Sequence, residues 1–178
     1  GNWVACTATI NSHLGSKVII PGTGVFMNNE MDDFSIATGT PNAFGLIGAE
    51  ANAIAPGKRP LSSMSPTIIL KDGQPILAVG AAGGPTIITQ TLLAIIHIID
   101  FNRPLKETLA QPHFHHQWRP NGIRIEKQVG AKVLAELKRR GHKLQVVQTM
   151  GATQAVSQTR GKLEAAHDPR LKGKSVDF

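Results

Sequence analysis

The stretch from Thr67 to Ile99 constrains the fold more than any other part of the chain. Two apolar, β-branched runs, Thr67 to Leu70 and Pro75 to Val79, flank Lys71-Asp72-Gly73-Gln74. An Asp-Gly pair between such runs is a strong hairpin signal. Glycines recur from Gly80 to Gly84, and Pro85 then stands at the first position of a helix that runs to about Ile99. That helix is apolar on most sides, so it calls for cover on both flanks. A hairpin feeding such a helix needs a layered architecture, with helices outside sheets.

The remaining periodicity agrees with layers. Trp3 to Ile10 and Val25 to Asn28 read as short strands, separated by a Gly-, Ser- and Pro-rich loop from Asn11 to Gly24. Helices are predicted from Leu105 to Ala110 and from Ala131 to Arg140, the latter stopped by Gly141. Ile123 to Glu126 and Lys143 to Val147 are predicted strands, and Thr153 to Gln158 with Lys162 to Ala166 a closing hairpin. Between Ser35 and Met64 periodicity fades, and an irregular stretch of that length inside a compact domain is usually functional.

Composition excludes several classes. With 41% hydrophobic and 17% charged residues the chain is neither disordered nor a coiled coil. Its longest apolar run, Leu92 to Ile96, falls far short of the ~20 residues that span a bilayer. A net charge of +7 permits an acidic partner, but Lys132, Lys138, Arg139 and Arg140 come with few aromatics, so a solvated face is expected rather than a nucleic-acid site. Cys6, the single cysteine, cannot form an internal disulfide and reads as a small buried hydrophobe in a strand.

Four clusters could carry chemistry, and each has a plainer explanation. Gly83 and Gly84 before a helix could present two N–H groups to a developing oxyanion, or simply turn the chain. Ser62-Ser63 on an irregular loop could bind a carboxylate, or serve only as turn residues. Glu30, Asp32 and Asp33 could hold an ammonium group or a hard metal ion, or cap a helix. His113, His115 and His116 lack a cysteine or carboxylate companion, so hydrogen bonding or packing against Trp118 is preferred to zinc, and no metal is expected.

Taken in order, Asn28-Asn29-Glu30-Met31-Asp32-Asp33-Phe34-Ser35, Lys58-Arg59-Pro60-Leu61-Ser62-Ser63-Met64-Ser65-Pro66, Gly83-Gly84 and Phe114-His115-His116-Gln117-Trp118 resemble γ-glutamyltranspeptidase. The resemblance is to its small, C-terminal subunit and covers nearly the whole chain, so residues 1–178 are expected to form the small-subunit part of one domain. It implies an α+β class and the N-terminal-nucleophile (Ntn) hydrolase fold. That fold is an αββα four-layer sandwich of two antiparallel sheets between helix layers, completed by a large subunit from the same self-cleaving precursor. The activity it implies is γ-glutamyl transfer from glutathione or a related donor to water, an amino acid or a dipeptide, through a γ-glutamyl-enzyme intermediate, with no cofactor. The nucleophile is the N-terminal threonine of the small subunit, whose own α-amino group acts as base.

By that resemblance Thr9 bonds to the nucleophile, and Asn11, Glu30 and Asp33 hold the donor's α-amino group. Ser62 and Ser63 bind its α-carboxylate, Gly83 and Gly84 form the oxyanion hole, and Thr38 to Phe44 is the lid. The departures are informative. The family's Thr-Thr-His opening does not precede Gly1-Asn2 in this sequence, and Thr7 and Thr9 have no free α-amino group, so the chain by itself is expected to be inactive. Glu30 stands where many bacterial members have Gln, Phe44 where the lid often carries Tyr, and Pro85 where a small polar residue is common.

Two other functions compete. A cephalosporin or glutaryl acylase of the same fold would have no need of Glu30 and Asp33. A non-catalytic binding subunit would account for the missing nucleophile. The resemblance also implies a periplasmic, extracellular or cell-surface location.

Overall fold

The computed structural model describes residues 1–159 and 161–176. They group into two compact units, residues 1–7 with 64–178 and residues 8–63.

The larger unit is built on the predicted hairpin. Strand β1 (Thr67–Lys71) turns at Asp72 and Gly73, both at positive φ, into β2 (Gln74–Ala82). With β6 (Ala152–Thr159) and β7 (Lys162–His167) these make an antiparallel sheet in the order β1-β2-β6-β7. Helix α1 (Thr86–Ile99) packs on β2 and β6, and α2 (Leu105–Leu109) on β6 and β7. Leu77, Val79, Ala94, Leu105, Leu109, Ala155 and Ala166 close the core between them. Three small alanines on this list let helices and sheet approach closely.

A second sheet orders β3 (Phe114–Gln117), β4 (Gly122–Glu126) and β5 (Leu144–Val147). Its β4–β5 pair is parallel, joined by α3 (Ala131–Arg139), because parallel neighbours need a crossover and here a helix provides it. Below it lies a buried ionic cluster. Glu126 accepts the N–H groups of His113 (3.0 Å) and Met150 (2.6 Å) and both Nε (2.8 Å) and Nη2 (2.6 Å) of Arg170. Asp168 accepts the N–H of Thr153 (2.9 Å) and Nη1 of Arg170 (2.9 Å). Each carboxylate meets the Arg170 guanidinium and backbone N–H donors, and Arg170 in turn donates to Leu109 O and Gln111 O, the condition under which buried charges persist.

Several expectations need correction. Trp3 to Ile10 forms no strand. Half-buried Trp3, Ala5 and Thr7 alternate with exposed Asn2, Val4, Cys6 and Ala8, which is strand periodicity without a partner ladder among the described residues. Cys6 is therefore exposed, not buried. Val25 to Asn28 contributes only the Ile19–Phe26 bridge of a narrow hairpin, held by Ser16 and Ile20 N–H bonds to Met27 and Val25 carbonyls. Strand β3 was not anticipated, since consecutive histidines carry little β signal and only pairing with β4 makes them extended. The histidines do not pack on Trp118, which is 70% exposed beneath the Arg119 guanidinium. Instead His113 bonds Met150 O, His115 bonds Thr89 and Gln117, and His116 bonds Asn121.

Helix α1 also departs from its pattern. It buries Thr86, Gln90 and Thr91, while Ile88, Leu92 and Ile99 face out. Among the described residues, only one of its two flanks is covered.

Candidate active site

In the unit of residues 8–63, hydrogen bonds join most of the residues singled out for donor binding. The Thr9 hydroxyl accepts the N–H of Asn11 at 2.8 Å, which leaves its proton free to point elsewhere. Asn11 is buried and sits at φ 55°, a conformation Asn tolerates better than most residues. Its Nδ2 donates to Asn29 O at 2.9 Å and its Oδ1 accepts the Ser12 N–H at 2.9 Å. The Asn29 N–H returns to Ile10 O at 2.8 Å, so the Thr9–Asn11 segment is fastened to the residue before Glu30.

Glu30 to Asp33 forms one tight helical turn, started by the Asn28 side chain accepting the Glu30 N–H at 3.0 Å. An acidic first turn suits the positive end of its dipole. Glu30 and Asp33 are three residues apart, which in such a turn places their side chains one above the other. Burial raises the Glu30 carboxyl above its usual range, and the hydrogen bond and charge of Asp33 raise it further. Asp33 is raised by burial and by the charge of Asp32, against a lowering bond from Glu30. Glu30 Oε1 is buried with no hydrogen-bond partner among the described residues. Two half-buried carboxyls pressed together, one with an unused oxygen, are poised for a cation.

Sequence reasoning missed two residues that organise this region. Asn52 donates to Asp33 O at 2.8 Å and accepts the Leu61 N–H at 2.9 Å, while its backbone carbonyl takes the Ser35 N–H at 3.0 Å. One amide thus ties the acidic turn to the residue preceding Ser62 and Ser63. Asp32 accepts the Ala43 N–H at 3.1 Å, and Asn42 donates to Asp32 O at 3.2 Å, so the predicted lid is tethered to the same turn. Asn42 Oδ1 accepts the N–H groups of Phe44 and Leu46, both at 3.0 Å, shaping the loop around the half-buried Phe44. Nothing local to Ala51-Asn52-Ala53 announces such a role, because both partners are distant in sequence.

In the larger unit, Gly83 (φ 140°) and Gly84 (φ 60°) turn β2 into α1. A Cβ on Gly83 would collide with Thr86 Oγ1, so only glycine serves there. Their carbonyls are drawn toward the helix, Gly83 O accepting from Thr86 N and Oγ1 at 3.3 and 2.9 Å and Gly84 O from Ile87 N at 3.1 Å. Among the described residues no group of His, Cys, Asp and Glu has the arrangement of a metal site.

The family model for γ-glutamyltranspeptidase matches residues 1–178. The chain belongs to the γ-glutamyltranspeptidase family. It is 44% identical to the glutathione hydrolase proenzyme of Escherichia coli over 171 residues, covering 96% of this chain and 30% of that protein. Among solved structures it is 45% identical, with a TM-score of 0.90, to the T380A mutant of the Helicobacter pylori γ-glutamyltranspeptidase, over 96% of this chain and 95% of that one. The Pseudomonas nitroreducens γ-glutamyltranspeptidase complexed with L-DON gives 42% identity and a TM-score of 0.94, over 99% and 93% of the two chains. The chain therefore corresponds to the small, C-terminal subunit of γ-glutamyltranspeptidases and spans about 30% of the curated precursors it matches. Its fold is that of Ntn hydrolases, α+β with two sheets.

Proposed function

We propose that the protein transfers the γ-glutamyl group of glutathione, or of a related γ-glutamyl compound, to water or to an amino acid or dipeptide acceptor. The observation that carries this reading is the Glu30–Asp33 pair, half-buried, raised in pKa and holding a carboxylate oxygen without a hydrogen-bond partner among the described residues. A donor's α-ammonium supplies the charge and N–H groups that such a pair lacks. Asn11 Oδ1 retains a second lone pair for the same ammonium. Ser62 and Ser63 take the α-carboxylate, and Phe44 covers the donor from the lid.

The attacking hydroxyl is that of the family's N-terminal threonine. Thr7 and Thr9 do not fill that role, because their nitrogens lie in peptide bonds. Thr9 instead hydrogen-bonds to the nucleophile through its hydroxyl, which already accepts the Asn11 N–H. Attack on the γ-carbonyl puts negative charge on its oxygen, which the Gly83 and Gly84 N–H groups stabilise. The nucleophile's hydroxyl proton passes to its own α-amino group and from there to the scissile amide nitrogen, so the C–N bond breaks with the leaving peptide departing as an amine, and water or an acceptor amine then resolves the acyl-enzyme.

The partner is a large subunit cut from the same precursor. The outward Ile88, Leu92 and Ile99 of α1, with Phe101 beyond them, support a second chain over that flank. A periplasmic, extracellular or cell-surface location accompanies this reading. No helix among the described residues is long and apolar enough to cross a membrane.

The deciding experiment compares a γ-glutamyl anilide with its glutaryl analogue, which lacks only the α-amino group, using the complete two-chain protein. Turnover confined to the γ-glutamyl compound supports the proposal. Equal turnover of both makes the protein an acylase, and turnover of neither makes it a binding subunit.

A further inference from the structure

Gln90 is a polar residue where α1 should be apolar. It is 1% exposed, one turn after Thr86, which is 2% exposed. Burying a primary amide costs free energy unless its donors and acceptor are used, and here both are used. Gln90 Nε2 donates to Thr86 Oγ1 at 2.6 Å and, over a longer 3.4 Å, to Ala82 O. The Thr86 hydroxyl passes its proton on to Gly83 O at 2.9 Å. On the other side Gln90 Oε1 accepts the Thr153 hydroxyl at 3.4 Å, and the Thr153 N–H is anchored on Asp168. Gly151 lies so close beneath that any side chain there would strike the Gln90 amide and Ala82 O.

Ala82 O and Gly83 O are the carbonyls of two successive peptides, Ala82–Gly83 and Gly83–Gly84. The N–H groups of those peptides belong to Gly83 and Gly84, the two assigned to the oxyanion. Both peptides are trans, since the cis bond among the described residues is Arg119–Pro120. In a trans peptide the N–H points opposite to the C=O. Holding both carbonyls toward α1 therefore aims both N–H groups away from it. Glycine pairs at positive φ have little intrinsic preference, so without such a hold either peptide could rotate.

We propose that Gln90 is the positioning residue of the oxyanion hole, fixing the Gly83 N–H directly through Ala82 O and the Gly84 N–H through Thr86 and Gly83 O. This deepens the γ-glutamyl-transfer reading and rests on it. Gln90 touches neither donor nor reacting atoms, so its loss weakens stabilisation of the tetrahedral intermediate and leaves ground-state donor binding in place.

The test uses the complete two-chain protein with a γ-glutamyl anilide. Gln90→Met keeps length and volume and removes every hydrogen bond. It should lower kcat by about ten- to a hundredfold, less than outright loss of a donor, with KM within about threefold of the unsubstituted protein. A γ-boronate analogue of the donor, which forms a tetrahedral adduct with a hydroxyl nucleophile, should lose affinity by the same factor as kcat/KM. A non-reactive γ-glutamyl analogue should bind unchanged, a split that general destabilisation would not produce. Gln90→Glu, which keeps the acceptor for Thr153 but has no N–H, should behave like Gln90→Met and decides the matter by the same criteria if Gln90→Met does not fold. A folded variant with kcat within about twofold of the unsubstituted protein, or one that loses donor affinity instead of kcat, overturns the proposal. An unsubstituted protein with no γ-glutamyl turnover overturns the functional reading itself, so the two failures are distinguishable.

Discussion

Asp33 and Glu30 show how a residue's chemistry is set by its neighbours. Alone, each would be an ordinary surface carboxylate; in one tight turn burial raises both, and the hydrogen bond and charge of Asp33 raise Glu30 further. Asp33→Ala should abolish use of γ-glutamyl donors, with kcat/KM falling by on the order of a hundredfold or more as a charged hydrogen bond is lost and the ammonium left unpaired. Retained turnover of the γ-glutamyl anilide in that variant would remove the basis for the functional reading. The pair also sets a pH dependence. On the proposed reading a donor ammonium needs ionised carboxylates, and burial moves the loss of ionisation to a pH above the usual carboxylate range. Donor KM should therefore be flat near neutrality and rise on acidification before ordinary carboxylates titrate. A KM profile flat down to the ordinary Glu range would contradict this. The acidic residues and the serine pair were visible in the sequence because their type and order carry the family pattern. The raised pKa values were not, since burial belongs to the fold.

At the level of elements, boundaries set by local chemistry were legible. The Asp72-Gly73 hairpin, the start of α1 after Pro85 and the end of α3 before Gly141 follow from turn and capping preferences, and all formed as expected. Trp3 to Ile10 had equally good strand periodicity and formed no strand, because a strand also needs a neighbour for its N–H and C=O groups. The long loop from 35 to 64 was legible only as a loop. What shapes it is Asn52, bonded to Asp33 and Leu61 across spacings of 19 and 9 residues. Asn52→Ala should release the serine segment from the acidic turn, raising donor KM about tenfold with a smaller change in kcat, since orientation of the bound donor is what it fixes. The same variant should discriminate less well between L- and D-γ-glutamyl donors. Unchanged KM and unchanged stereoselectivity would show that the serines are held by other means.

Across the whole chain, the buried Glu126–Arg170–Asp168 cluster is the feature most dependent on tertiary structure. Its members are 44 and 2 residues from Arg170, with side chains 1%, 10% and 0% exposed for Glu126, Arg170 and Asp168. Arg170→Met should destabilise the fold by about 3–5 kcal/mol, because two buried carboxylates lose their counter-charge. A shift in the urea midpoint corresponding to less than about 1 kcal/mol would mean that water or another cation replaces it. Burial works to raise the Glu126 carboxyl, but bonds from Arg170, His113 and Met150 outweigh it and hold it below its usual range. Its stabilising share is thus complete above the unfolded carboxylate range and is lost as pH falls through the lowered folded value. Urea unfolding of Glu126→Gln across that acid range should show a shallower pH dependence than the unsubstituted protein. By itself the sequence determined the class, the order of most elements and the family, because these depend on residue types and on neighbours a few positions apart. Only the tertiary structure decided which polar groups became buried and bonded to one another. It exposed Ile88 and Leu92 on α1 while burying Gln90, whose amide bonds the Thr86 hydroxyl and Ala82 O.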